Sequence, residues 1–100
     1  MSEKRNEKIN EDGSVEIPLL FPIEPPDGQI IKVITLKRQK QKIVKELRER
    51  YKENSEFGDA LLARAADLTI EDLGELDMED YTYLSERFSK MVGFGSKEVS

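Results

Sequence analysis

The sequence predicts an α+β fold, an N-terminal β-hairpin followed by three to four short helices. Three observations predict it. Apolar residues alternate with others from Val15 to Leu36 on either side of the turn sequence Pro25-Pro26-Asp27-Gly28. From about Gln39 the apolar spacing changes to three and four, the period of a helix. Two helix-start signals, Thr69 with Asp72 and Asp77 with Asp80, then succeed each other closely.

Met1–Gly13 holds one apolar residue beyond the first methionine, Ile9, and mixed charge. Such a segment cannot repay the entropy of ordering and reads as a mobile charged tail. The first strand places Val15, Ile17, Leu19 and Phe21 at alternate positions. Pro18 and Pro22 cannot donate to a ladder, so this strand should be irregular or lie at a sheet edge. In the turn, Pro26 pre-sets φ, Asp27 can bond neighbouring amides and Gly28 tolerates positive φ. The second strand, Gln29–Leu36, is apolar on both faces, so helices should cover one face and a partner the other. A lone hairpin is marginal in water and must pack on the remainder of its own chain or on another chain.

Ile43, Leu47 and Tyr51 are spaced by four, with Val44 beside them, and form one stripe of a helix reaching about Lys52. A second helix, from near Glu56 to Asp67, should bury Phe57, Leu61, Leu62 and Ala65, with Ser55 as its cap. Thr69 and Asp77 are capping oxygens, and Asp72 and Asp80 are first-turn acids that suit the positive end of a helix dipole. Between the caps Leu73 and Leu76 face inward. The last helix, about Met78 to Val92, carries Tyr81, Leu84, Phe88, Met91 and Val92 on one face. Residues 14–94 thus form one small domain, followed by a flexible tail at 95–100.

Composition narrows the chemistry. The chain has no cysteine and no histidine, which removes disulfides, thiol nucleophiles, thiolate metal sites and the side chain that titrates near neutral pH. No cofactor is expected. No apolar run reaches the roughly 20 residues of a membrane span, and the expectation is a soluble intracellular protein. Charged residues make up 37%, above the usual quarter, leaving little apolar surface to enclose a deep pocket. The net charge of −5 conceals an asymmetry: residues 1–30 carry −4, residues 31–52 carry +7 and residues 53–100 carry −8.

Glu71 with Asp72, or Glu79 with Asp80, are pairs of carboxylates of the kind that serve as acid and base or bind magnesium. Adjacent helical residues diverge by about 100°, however, and do not face one site. The basic run invites three readings: a solvated or internally paired face, a contact for an acidic protein, or a nucleic-acid surface built on Lys37, Arg38, Lys40, Lys42 and Lys45. Glu46 and Glu49 interrupt the run and no aromatic residue interleaves with it, which disfavours nucleic acid. Glu46 and Arg50, four apart in the favourable order, fit the solvated face.

The stretches VEIPLLFPIEPPDGQIIKVITLKRQK and DALLARAADLTIEDLGELDMEDYTYLSERFSKMVGF resemble the small tail assembly chaperones of Mu-like and related long-tailed phages. That family opens on a Pro-Ile…Gly…Leu-Thr-Leu-Arg hairpin, which Pro22, Ile23, Gly28 and Ile34 to Lys37 match here. It closes on a Leu-Thr/Ser-x-Glu-Asp-Leu-x-x-Leu-Asp-x-x-Asp-Tyr corner, which Leu68, Thr69, Glu71, Asp72, Leu73, Leu76, Asp77, Asp80 and Tyr81 match. The likeness runs from about Val15 to Phe94. It departs in the stretch KRQKQK, Lys37 to Lys42, where the family follows its Leu-Arg with a Glu-Pro segment.

The resemblance implies a non-enzymatic role in the host cytoplasm, outside the mature virion. Its implied partners are the tape measure protein and the tail tube subunits, with self-association also open. A helical client needs an apolar surface ringed by charge. Leu84, Phe88, Met91 and Phe94, near the carboxyl end, are the expected contact face.

Overall fold

The computed structural model describes residues 5–26 and 28–92. Three strands, β1 (Lys8–Ile9), β2 (Val15–Ile23) and β3 (Ile31–Leu36), precede four helices, α1 (Gln41–Arg50), α2 (Asn54–Ala66), α3 (Ile70–Gly74) and α4 (Met78–Val92). This is an α+β arrangement on an antiparallel sheet ordered β1-β2-β3. The predicted hairpin is β2 and β3, with Glu16 opposite Thr35, Ile17 opposite Ile34 and Pro18 opposite Val33. At its turn the Gly28 N–H donates to Pro25 O at 2.9 Å with φ at 89°, a conformation open to glycine without a Cβ clash. Asp27 lies outside the described residues.

Composition assigns Met1–Gly13 to a mobile tail; the structure corrects this for residues 5–13. Lys8 pairs with Glu16 and Ile9 with Val15. A bonded turn leads from β1 into β2: Asn10 N–H donates to Ser14 O, and Gly13 N–H to Asn10 O. Asp12 accepts from both the hydroxyl and the N–H of Ser14, at 2.7 and 2.9 Å. These bonds, the hydroxyl's first, hold the Asp12 carboxyl below the usual carboxylate range. The segment is too polar to order itself by burial, and side chains on α4 hold it instead.

The prolines leave their mark on β2. It is the central strand rather than an edge, but its ladder with β3 shifts register between Pro18 and Ile23. Because β1 spans only two residues, β2 beyond Glu16 has no strand on that side. Its second half therefore behaves as an edge whose amides need another acceptor.

The core lies between the sheet and the helices. Val15, Ile17, Leu19 and Ile23 of β2 meet Ile34 and Leu36 of β3, all buried. Against them sits α2, whose Phe57, Ala60, Leu61, Leu62, Ala65 and Ala66 are also buried. A helix this apolar on most sides must be enclosed, and α2 touches α1, α3, α4 and β3. Lys37 N–H donates to Ala65 O at 2.9 Å, tying the end of β3 to the last turn of α2. From α1, Leu47 is buried, and the Arg48 guanidinium stacks 4.1 Å from the centre of the Phe57 ring.

Helix ends match the sequence in part. Thr69 Oγ1 accepts from Asp72 N–H at 3.0 Å, and Asp77 Oδ2 accepts from Glu79 N–H at 3.0 Å. Ser55 is not the cap of α2. That helix starts at Asn54, with Glu53 at the N-cap position and no side-chain bond to its free amides. At the other end Asp67 closes α2 in the left-handed region, φ 59° and ψ 42°.

Candidate functional site

The acidic stretch between Asp67 and Asp80 does not converge. Among the described residues no group of three or more His, Cys, Asp or Glu is arranged to hold a metal ion. Asp77 bonds the first turn of α4, Glu71, Glu75 and Glu79 are exposed, and Asp80 goes furthest from its expected task. It sits in the first turn of α4 as predicted, yet its side chain leaves the helix end and is wholly buried. One carboxylate oxygen accepts from Leu20 N–H, the other from Phe21 N–H, both at 3.0 Å. These are edge amides that β2 could not pair once its ladder shifted. Arg5 Nη1 completes the arrangement at 2.6 Å from Asp80 and also donates to Pro18 O at 3.2 Å.

Asp80, Tyr83 and Arg87 are spaced by three and four and so share one face of α4. The Arg5 guanidinium lies 4.2 Å from the centre of the Tyr83 ring. The Tyr83 hydroxyl donates to Glu7, and Arg87 Nε donates to Glu7 at 3.1 Å. Burial first, and the bond to Glu7 second, push the Tyr83 hydroxyl above its ordinary pKa. This face of α4 is thus fully engaged by the chain's own amino-terminal segment.

The opposite flank of the helices is open. Two depressions of about 200 and 310 Å³ adjoin there and share Asp59 and Tyr81 in their walls. The Tyr81 hydroxyl donates to Asp59 Oδ1 at 2.6 Å, forming a bar between them. That bond, and secondarily burial, raises the tyrosine above its usual range. Ile70, Leu73, Gly74 and Met78 line one depression; Ser55, Leu62, Ser85 and Phe88 are among the residues lining the other. At the mouth Met78 is 70% exposed and Ile70 45%. A separate set of exposed apolar side chains lies on the hairpin: Leu20, Phe21, Ile30 and Val33. The expected uncovered side of the β3 strand is therefore present.

Two of the four residues of the contact face expected from sequence are turned inward. Leu84 and Phe88 are core residues, 0% and 5% exposed, because the apolar stripe of α4 is spent on β2 and α2. Met91 is half-buried in a third depression of about 280 Å³ with Arg38, Gln39 and Val44. Phe94 lies outside the described residues. Of the basic candidates, Lys37, Arg38 and Lys40 are exposed on the β3–α1 connection, and Lys42 and Lys45 are exposed on successive turns of α1.

Sequence reasoning missed Ile70 and Met78 as surface residues and Asp59 as the partner of Tyr81. A signal for the first two exists. They stand three residues before Leu73 and Tyr81 and carry each apolar stripe back to the helix's first residue, beyond what the core needs.

The family described as "Phage tail assembly chaperone proteins, E, or 41 or 14" matches residues 16–93. A search of curated proteins and a search of solved structures each return no match.

Proposed function

Because the chain belongs to the phage tail assembly chaperone family, we propose that it binds the tape measure protein, and with it tail tube subunits, while the tail is being built. It does so in the host cytoplasm, performs no catalysis, needs no cofactor and leaves before the virion is complete. The single observation that carries the reading is the family match across 78% of the chain, residues 16–93.

The surface supports it physically. Large apolar side chains stay exposed at Leu20, Phe21, Ile30, Val33, Ile70 and Met78 on a small protein, where a partner would gain by covering them. Around the helical corner the chain is strongly acidic: residues 53–92 hold 11 acids and 3 bases. Such charge keeps an apolar contact surface and its client soluble. No helix among the described residues is long and apolar enough to cross a membrane.

Co-expression with the tape measure protein tests the proposal. The expected result is that the tape measure protein stays soluble and co-purifies with this chain, and is lost to the insoluble fraction without it. A tape measure protein equally soluble in both cultures, with none recovered on the chain, overturns it.

A further inference from the structure

We infer that the groove formed by the two depressions across the Tyr81–Asp59 bond docks a basic amphipathic helix of a partner protein, with Ile70 and Met78 as its apolar lip. This deepens the chaperone reading and rests on it for the partner's class, but the groove itself argues for the occupant.

Its dimensions suit a helix. Along α4 the lining runs from Met78 to Ser89, which at about 1.5 Å per residue gives a trough of about 16 Å, or three turns of a docked helix. Its walls come from α2, α3, α4 and Leu76 between the last two, with no strand edge in the lining. An extended strand would find no ladder there, whereas a helix brings its backbone already satisfied. Apolar anchors three and four residues apart would fill first one depression, then the other, straddling the Tyr81 ring.

Its charge fixes the sign of the flanks. No Lys or Arg lines either depression. Glu56, Glu71, Glu75, Asp77 and Glu79, neighbours of the lining residues in sequence, are all exposed. Within the groove, Asp59 accepts the Tyr81 hydroxyl through one carboxylate oxygen, Oδ1. The Asp59 carboxylate, on the wall of both depressions, is placed to take a lysine or arginine from the occupant. Of the segment's three cations Arg87 is already paired with Glu7, which leaves Arg64 and Lys90 against 11 acids.

The test uses the full chain and two synthetic peptides of about four helical turns. One has leucines at helical spacing and lysines elsewhere; the other has glutamates in place of the lysines. Fluorescence anisotropy at about 0.15 M salt should show saturable binding of the lysine peptide and none of the glutamate peptide. Ile70→Ser with Met78→Ser, both exposed and safe for folding, should weaken binding about tenfold or more. Glu71→Lys with Glu75→Lys should weaken it similarly, and amide shifts should map to residues 55–62 and 70–89. Unchanged affinity in both double variants, equal binding of the glutamate peptide, or shifts confined to Leu20 and Val33 would each overturn the groove. So would a concentration-dependent dimer abolished by Ile70→Ser with Met78→Ser, since the occupant would then be a second copy. Recovery of the tape measure protein separates the two claims. If wild type and both double variants recover it equally, the groove fails and the chaperone role stands; if wild type recovers none, the role itself fails.

Discussion

Arg5 and Asp80 lie 75 positions apart in the chain and meet at 2.6 Å, with 7% and 0% of their side chains exposed. A buried carboxylate is tolerable only when donors surround it, and here the backbone of β2 supplies two of them at Leu20 and Phe21. The pair therefore closes the open half of a proline-interrupted strand. Asp80→Ala removes the acceptor from both amides and leaves the Arg5 charge buried, which should cost about 3–5 kcal/mol. Arg5→Ala leaves the carboxylate with its two amide donors and should cost about 1.5–3 kcal/mol. Urea unfolding of the two variants and their double gives the coupling. Hydrogen exchange at Leu20 and Phe21 should speed up in Asp80→Ala and stay slow in Arg5→Ala; equal acceleration in both would place the lock on Arg5 instead.

Gly13 has φ at 90° in the turn between β1 and β2, and a Cβ built there would stand 2.5 Å from Arg38 Cδ. The Arg38 stem is exposed and can swing aside, so backbone conformation rather than the clash sets the cost. Gly13→Ala should lose about 1–2 kcal/mol, and Arg38→Ala should not restore it. Thermal melts of the single and double variants check this. A double variant as stable as Arg38→Ala alone would show that the contact, not φ, was responsible.

Alkali should loosen the fold through two tyrosines. Tyr81 is raised by its bond to Asp59 and Tyr83 by burial and Glu7. A group whose folded pKa lies above its unfolded value holds its full stabilisation below the unfolded value, about 10 for tyrosine, and loses it as pH rises through the folded one. Stability by urea titration should thus fall as pH climbs above about 10. Tyr81→Phe with Tyr83→Phe should flatten that decline. An unchanged slope in the double variant would assign the alkaline loss to other groups.

Local pattern made much of this fold legible. Alternation marked β2 and β3, the three-and-four spacing marked the helices, and Thr69 and Asp77 cap as their types and positions require. What stayed hidden depends on distant partners. An aspartate in a first turn looks the same whether it serves its own helix or, like Asp80, reaches a strand 60 residues away. Residues 5–9 look like tail because their anchors, Tyr83 and Arg87, are more than 70 positions off. Periodicity likewise says that Leu84 and Phe88 share a face. It does not say whether that face meets the chain's own core or another protein.

That last distinction has an experimental consequence for the proposed contact surface. Leu84 is wholly buried and Phe88 nearly so, and cutting either back to alanine should cost about 2–5 kcal/mol, a large part of the stability of a domain this size. Phe88→Asp adds an unpaired charge to the cavity and should leave the chain largely unfolded. Client binding lost in these variants would reflect lost structure, and circular dichroism should show the melt shifted down in proportion. Ile70→Ser and Met78→Ser remove exposed surface and should shift the melt little. A Leu84→Ala chain that melts like wild type but no longer recovers the client would return the contact surface to α4's buried stripe.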